Sequence, residues 1–178
     1  MKLTAFDLEL NQPSGKIIQI GAVVGDTLTG EISQRLSIFV NPNEPLAERI
    51  GELCGIRQEQ LDQGQNLYDA YLEIKKFHTK YSDFINPVTW GGGDSQTLRD
   101  QLGEISTAWC FGRRWIDAKT LYASMIIARD DQTPRGGLKD SMKSLGLTFK
   151  GREHDALDDA ENTFKIYHHM LYLIRHSK

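Results

Sequence analysis

Residues 3–10 read Leu3-Thr4-Ala5-Phe6-Asp7-Leu8-Glu9-Leu10. Apolar side chains fall on both parities of this run, so a strand here would be covered on both faces and belongs in the middle of a sheet. Side chains two apart on a strand project to the same side, which puts Asp7 and Glu9 on one face with Leu3 and Ala5. At a rise of ~3.3 Å per residue the two carboxylates would sit roughly 6–7 Å apart. Their repulsion at an effective dielectric of ~20 is about 2–3 kcal/mol. Burial beside Leu3 and Ala5 adds a desolvation penalty that a bound cation would remove. Taken alone, the pair is also what any solvated strand end can carry, since acids are mostly exposed.

Working outward, Gln12-Pro13-Ser14-Gly15 is a turn. It leads to a second strand over Ile17–Val24, with Gly25-Asp26 beginning the next turn and a third strand around Ile32–Val40. Helical patterns follow at Glu44–Glu52 and Leu67–Tyr81, the latter with Tyr68, Tyr71, Leu72 and Lys75 on one face. A short strand, Pro87-Val88-Thr89-Trp90, is broken by Gly91-Gly92-Gly93 ahead of a helix over Asp94–Leu102. A fifth strand at Arg114–Asp117 runs into a helix through Met125 and Ile126. A further helix spans Leu138–Leu145, and the last starts near Asp155 and runs to about Ile174. Three strands followed by alternating strands and helices predict an α/β fold, a mixed five-stranded sheet flanked by helices.

The chain has 178 residues, which suits a single domain over 1–178. Hydrophobic residues make up 39% and charged residues 25%, ordinary for a folded globular protein. No run approaches the ~18–20 apolar residues of a membrane span, and the N-terminal residues lack a signal-peptide pattern. With two cysteines, Cys54 and Cys110, and no CxxC, neither a disulfide framework nor a cysteine zinc site is indicated. The expected location is the cytoplasm, with no membrane partner. The net charge of −3 lacks the basic excess usual in nucleic-acid binders. Arg113, Arg114, Arg135, Lys139, Lys143, Lys150 and Arg152 form local basic groups that read equally well as a solvated surface.

Two further acidic positions matter. Asp94 follows the glycine break at a helix start, where the default role for an aspartate is the N-cap. Near the C-terminus the chain reads His154-Asp155-Ala156-Leu157-Asp158-Asp159-Ala160. Asp155 suits the N-cap, and Asp158 supports the positive end of the helix dipole. Asp159 falls on the row of Ile166, Met170 and Leu173, an apolar stripe that should face inward, so it asks for a counter-charge. His154, just ahead of the helix, is a candidate general base because imidazole titrates near neutral pH. His168 and His169 point apart on the same helix and receive no role.

In this order, the Phe-Asp-x-Glu opening strand, an aspartate after a glycine-rich break and His-x-x-x-x-Asp opening a last helix resemble the DEDDh (DnaQ-like) 3′–5′ exonuclease family. Ile17–Val23 is similar to its second strand, and Leu53-Cys54-Gly55-Ile56 to its Leu-Thr-Gly-Ile segment. Trp90-Gly91-Gly92-Gly93-Asp94, Ile116–Leu121 and Gly137-Leu138-Lys139 look most like the histone-mRNA and enhancer-of-RNAi exonucleases. The resemblance implies a ribonuclease H-like exonuclease fold. It implies that Asp7, Glu9, Asp94 and Asp159 hold two Mg²⁺ or Mn²⁺ ions, with Glu9 and His154 catalytic. The backbone at Leu10 would approach the terminal nucleotide, Leu53 and Ile56 would pack on its base, and Trp90 would stack or fill core. Implied partners are single-stranded RNA or DNA 3′ ends, with RNA preferred; protein partners are left open. Two departures stand out: Leu10-Asn11 follows the Asp-x-Glu pair, and Cys54 replaces the usual threonine. The competing readings are a DNA-directed proofreading or repair exonuclease, a ribonuclease H-like endonuclease, and a catalytically idle nucleic-acid-binding adaptor.

Overall fold

The computed structural model describes residues 1–103 and 109–177. Five strands, β1 (Lys2–Leu10), β2 (Ile17–Asp26), β3 (Ile32–Phe39), β4 (Val88–Thr89) and β5 (Ile116–Asp117), form one sheet in the order β3-β2-β1-β4-β5. The octet at residues 3–10 is therefore the central strand, as its two apolar faces require. β1 is antiparallel to β2, and β2 to β3, while β1–β4 and β4–β5 are parallel. The helices are α1 (Glu48–Cys54), α2 (Gln58–Asp62), α3 (Leu67–Tyr81), α4 (Asp94–Leu102), α5 (Ala118–Asp130), α6 (Leu138–Ser144) and α7 (Ala156–His176).

Two cores result, one on each side of the sheet. Phe6 and Leu8 join Ala70, Tyr71 and Ile74 of α3 and Leu98 and Leu102 of α4 on one side. Leu3 and Ala5 join α5, α6 and Phe164, Ile166 and Met170 of α7 on the other. Asp7 and Glu9 share the parity of Leu3 and Ala5, so they lie beneath α7.

Two glycines in β2 set how closely α7 descends. A Cβ on Gly21 would lie 2.0 Å from the carbonyl carbon of Ala156, and one on Gly25 would lie 2.2 Å from the Phe164 ring. This is why β2 continues through Gly25 to Asp26, where a turn was expected: the glycine accommodates a ring packed against the strand.

Two local expectations need correcting, and one helix was not foreseen. The first helix starts at Glu48, not Glu44. The Asn11 side chain donates to Glu44 Oε1 and the Pro45 carbonyl and accepts from the Ala47 N–H, holding residues 44–47 outside a helix; the residue before a proline also disfavours helical geometry. The short helix α2 had no clear periodic signal. On α3 the buried face is Ala70, Tyr71, Ile74, Phe77 and His78, whereas Tyr68 and Leu72 are 45% and 41% exposed. The stripe at i, i+4 and i+7 from Ala70 outweighs the aromatic at Tyr68.

Candidate active site

The site forms at the carboxyl end of the central strand. The β1–β2 register shifts between Glu9 and Leu10, a bulge of the kind that re-aims side chains and ends regular pairing. On β2, opposite Glu9, Gln19 is buried. Its amide donates to Asp155 Oδ2 at 3.1 Å and its carbonyl accepts from the Ala156 N–H at 3.1 Å. The start of α7 is thereby pinned over β1 and β2, with Gly21 leaving room for its first turn. Asp155 is the N-cap, accepting from the N–H groups of Leu157 and Asp158, as its position predicts.

The loop ahead of α7 is shaped by the same acids. The Arg152 N–H donates to Asp158 Oδ2 at 2.7 Å, and the His154 N–H donates to Asp159 Oδ2 at 3.1 Å. His154 takes a left-handed conformation, φ 64°, which is unfavourable for a residue with a Cβ; the bond to Asp159 accompanies it. One ligand atom each from Glu9, His154 and Asp159 lie within 4.8 Å of one another.

Asp94 enters from the other core. The N-cap of α4 is Gly93, with no side-chain cap, so Asp94 is the first helical residue and not the cap. Its carboxyl is turned toward β1, where the backbone amides of Asp94 and Leu8 bear on it. The preceding loop is organised by Asp117, whose Oδ1 accepts from the Gly91 N–H at 3.2 Å and from Lys119 and Thr120 at the start of α5. Gly91 has φ 106°, a value that favours glycine. A Cβ at Gly91 or Gly93 would meet nothing within 4 Å, so the loop faces open space.

These acids lie close enough to act on one another. Burial pushes Asp7 well above the usual carboxylate range, and the charges of Asp94, Asp159 and Glu9 push it further. Burial raises Glu9 to about 7, partly offset by the Cys54 thiol, which donates to Glu9 Oε2 at 3.3 Å. Burial raises Asp94 to about 7, with the two amides opposing and Asp117 adding to the rise. Asp159 is also raised to about 7 by burial, against the His154 N–H. Among the described residues none of the four forms an ion pair with lysine or arginine. Four such carboxyls without cationic side chains are the chemistry of a divalent-cation cage built from hard oxygen donors.

The expected substrate-contact residues are placed unevenly. Leu10 lies at the bulge, half-buried. Leu53 is 46% exposed at the end of α1, while Ile56 is 4% exposed and packs with Ile18, Cys54 and Leu61. Trp90 packs against the α5–α7 core, its ring 5.8 Å from Tyr122. The residues missed by sequence reasoning are Gln19, Asp117 and Arg152. Each acts on a partner distant in the chain, and a hydrogen bond across 136 residues leaves no local pattern.

The sequence matches the family model for exonucleases, RNase_T, over residues 4–86. That span includes Asp7, Glu9 and Leu53, and stops short of Asp94 and the α7 motif. Among curated proteins, ERI1 exoribonuclease 2 of Mus musculus is 29% identical over 174 residues, 84% of this chain and 24% of that protein. The 3′-5′ exoribonuclease 1 of Homo sapiens is 26% identical over 165 residues, 88% of this chain and 46% of that protein. The chain thus spans a quarter to a half of the length of these relatives. The nuclease domain of 3′hExo, solved bound to rAMP and described as a DEDDh family member, superposes with TM-score 0.77 at 23% identity, covering 96% of this chain and 92% of that one. The ribonuclease H-like fold of the DEDDh exonucleases is therefore the fold of this chain.

Proposed function

We propose, on the premise that this chain is a homologue of the 3′–5′ exoribonucleases with the DEDDh exonuclease fold, that it is a metal-dependent 3′–5′ exonuclease acting on single-stranded nucleic acid, with RNA preferred. The carrying observation is that the Asp7, Glu9, Asp94 and Asp159 carboxyls gather about the end of β1, with ligand atoms of Glu9, His154 and Asp159 within 4.8 Å of one another and Asp7 feeling the charges of the other three acids. These four acids would hold two Mg²⁺ or Mn²⁺ ions, since oxygen-only donors suit hard cations. When bound, such ions lower the charge on the scissile phosphate and favour in-line displacement.

The chain's own residues supply the rest. The His154 imidazole takes a proton from the attacking water as that oxygen bonds to the last phosphorus. The bond from phosphorus to the O3′ of the preceding nucleotide breaks and O3′ takes up a proton from solvent, releasing a nucleoside 5′-monophosphate and a chain shortened by one that ends in a 3′-hydroxyl. The backbone at Leu10 borders the terminal sugar. The exposed side chain of Leu53 lies against its base, Ile56 is buried with Ile18, Cys54 and Leu61 behind the same turn, and Trp90 stiffens the wall ahead of Asp94. The open Gly91–Gly93 loop gives the nucleotide room to enter. The RNA preference is supported by the names of the relatives, exoribonucleases. A cytoplasmic setting agrees with two free thiols, Cys54 and Cys110, and among the described residues no helix is long and apolar enough to cross a membrane.

Digestion of matched 5′-labelled RNA and DNA oligomers, with and without Mg²⁺ or Mn²⁺, tests the reading. A metal-dependent ladder shortened from the 3′ end, with released mononucleotides and faster loss of RNA, is expected. Asp7→Ala and His154→Ala should each abolish it. Internal fragments, or wild-type rates from both variants, would remove the mechanism.

A further inference from the structure

Arg152 stands two residues ahead of His154, and its side chain leaves that loop to reach α1. Its Nη2 donates to the carbonyls of Glu52 at 2.5 Å and Leu53 at 3.2 Å, a hundred residues earlier in the chain. These are last-turn carbonyls, which have no intrahelical partner and lie at the negative end of the helix. α1 has no basic residue of its own in that turn, so Arg152 supplies the cation from outside. The guanidinium lies on Gly55, where a Cβ would fall 2.0 Å from Nη1. Gly55 also closes α1 at φ 71°, so a side chain there would be strained and would collide with Arg152.

Arg152 joins three parts of the site. Its backbone N–H is fixed on Asp158, and the loop continues to His154, fixed on Asp159. Its side chain holds the turn that presents Leu53 outward and Cys54 inward, where the thiol meets Glu9. Among the described residues it pairs with no carboxylate; its side chain donates to carbonyls of α1 instead. An exposed arginine engaged in this way has little to do with surface charge balance. We propose that Arg152 is a positioning residue that ties the Leu53 platform for the terminal nucleotide to the loop bearing His154. The inference rests on the exonuclease reading for its catalytic consequence, though not for the structural coupling itself. Nη2 alone donates to both carbonyls while Nη1, Cζ and Nε lie over Gly55; a lysine ammonium has donors enough for two carbonyls but no planar group to cover that glycine.

Two arms test this on the full chain. In the first, Arg152→Ala is expected to lower kcat for 3′-end release about 10- to 100-fold, the effect of a displacement on the order of 1 Å. Arg152→Lys, which keeps the charge, should recover little of the loss. In a His154→Gln background retaining measurable activity, Arg152→Ala should lower kcat by no more than about twofold further, since effects acting through a shared residue are non-additive. Full activity in Arg152→Lys would make charge alone the cause, and an unchanged 10- to 100-fold loss in the double variant would separate Arg152 from His154; either overturns the proposal. The second arm needs no activity: amide hydrogen exchange at His154 should accelerate at least about tenfold in Arg152→Ala, while the buried centre of α7 stays protected. Unchanged exchange at His154 would overturn the coupling. A wild type that releases no mononucleotide would sink the exonuclease reading, and the exchange arm would still decide the clamp.

Discussion

Replacing Gly21 by alanine should damage the site from a distance, through one methyl group. The added Cβ would lie 2.0 Å from both the carbonyl carbon and oxygen of Ala156 and 2.4 Å from the Leu157 nitrogen. These are backbone atoms at the first turn of α7, and no rotamer change can relieve the contact. Restoring an ordinary separation of about 3.5 Å requires that turn to withdraw by roughly 1.5 Å. Asp159 and His154 travel with it, away from Glu9 and Asp7 on β1. Overpacking of this kind destabilises by about 1–3 kcal/mol, and a displacement on the order of 1 Å at a reacting centre lowers turnover about 100-fold. Gly25→Ala is the control: it meets the Phe164 ring at 2.2 Å on the same strand, away from the acids. Both variants should melt earlier than wild type, but only Gly21→Ala should lose the larger factor in kcat, measured as mononucleotide release from a 5′-labelled RNA below its melting temperature. Equal losses in the two variants, or none in Gly21→Ala, would refute the view that close approach of α7 to β2 sets the catalytic geometry.

The raised acids make stability depend on pH in a definite direction. Glu9, Asp94 and Asp159, with ordinary values of 4.5, 3.8 and 3.8, are each raised to about 7. Their folded state binds protons more tightly, so their contribution is present below the unfolded values and is lost as pH rises through about 7. Melting of metal-free protein should show the loss, Asp94→Asn should reduce it, and Mg²⁺ should counteract it at the alkaline end; a metal-free Tm that rises through this window and is unaffected by Asp94→Asn would contradict the buried-acid account. Gln19→Ala removes the bonds to Asp155 Oδ2 and the Ala156 N–H and should lower stability by about 1–3 kcal/mol, the penalty for stranding buried polar groups. Chemical denaturation checks it, and a change within about 0.5 kcal/mol, the range of ordinary surface substitutions, would show that Gln19 does not anchor α7.

Much of this was legible in the sequence because it is local. The double-faced apolar pattern of residues 3–10 gives the central strand, and the parity of Asp7 and Glu9 gives their side of it. The row from Asp159 through Ile166 and Met170 gives the inward face of α7. Asp94 taken locally reads as a cap, the usual role of an aspartate after glycines and before a helix, and only the wider pattern of acids makes it a candidate ligand; Gly93 is the cap, and the Asp94 carboxyl turns to β1. β4 and β5 are two-residue strands whose pairing, Val88 with Ile116 and Thr89 with Asp117, comes from the sheet and not from their own propensity. Gln19, Asp117 and Arg152 were not legible as site residues, since each draws its role from a partner that only the fold brings near.

The central claim is that the four carboxylates form a cage for divalent cations, and anomalous scattering from a crystal soaked in Mn²⁺ addresses it without recourse to activity. The account predicts strong peaks within coordination distance of Asp7, Glu9, Asp94 and Asp159. Full soaking with no peak there, or manganese bound only elsewhere while the four side chains diverge, would contradict it.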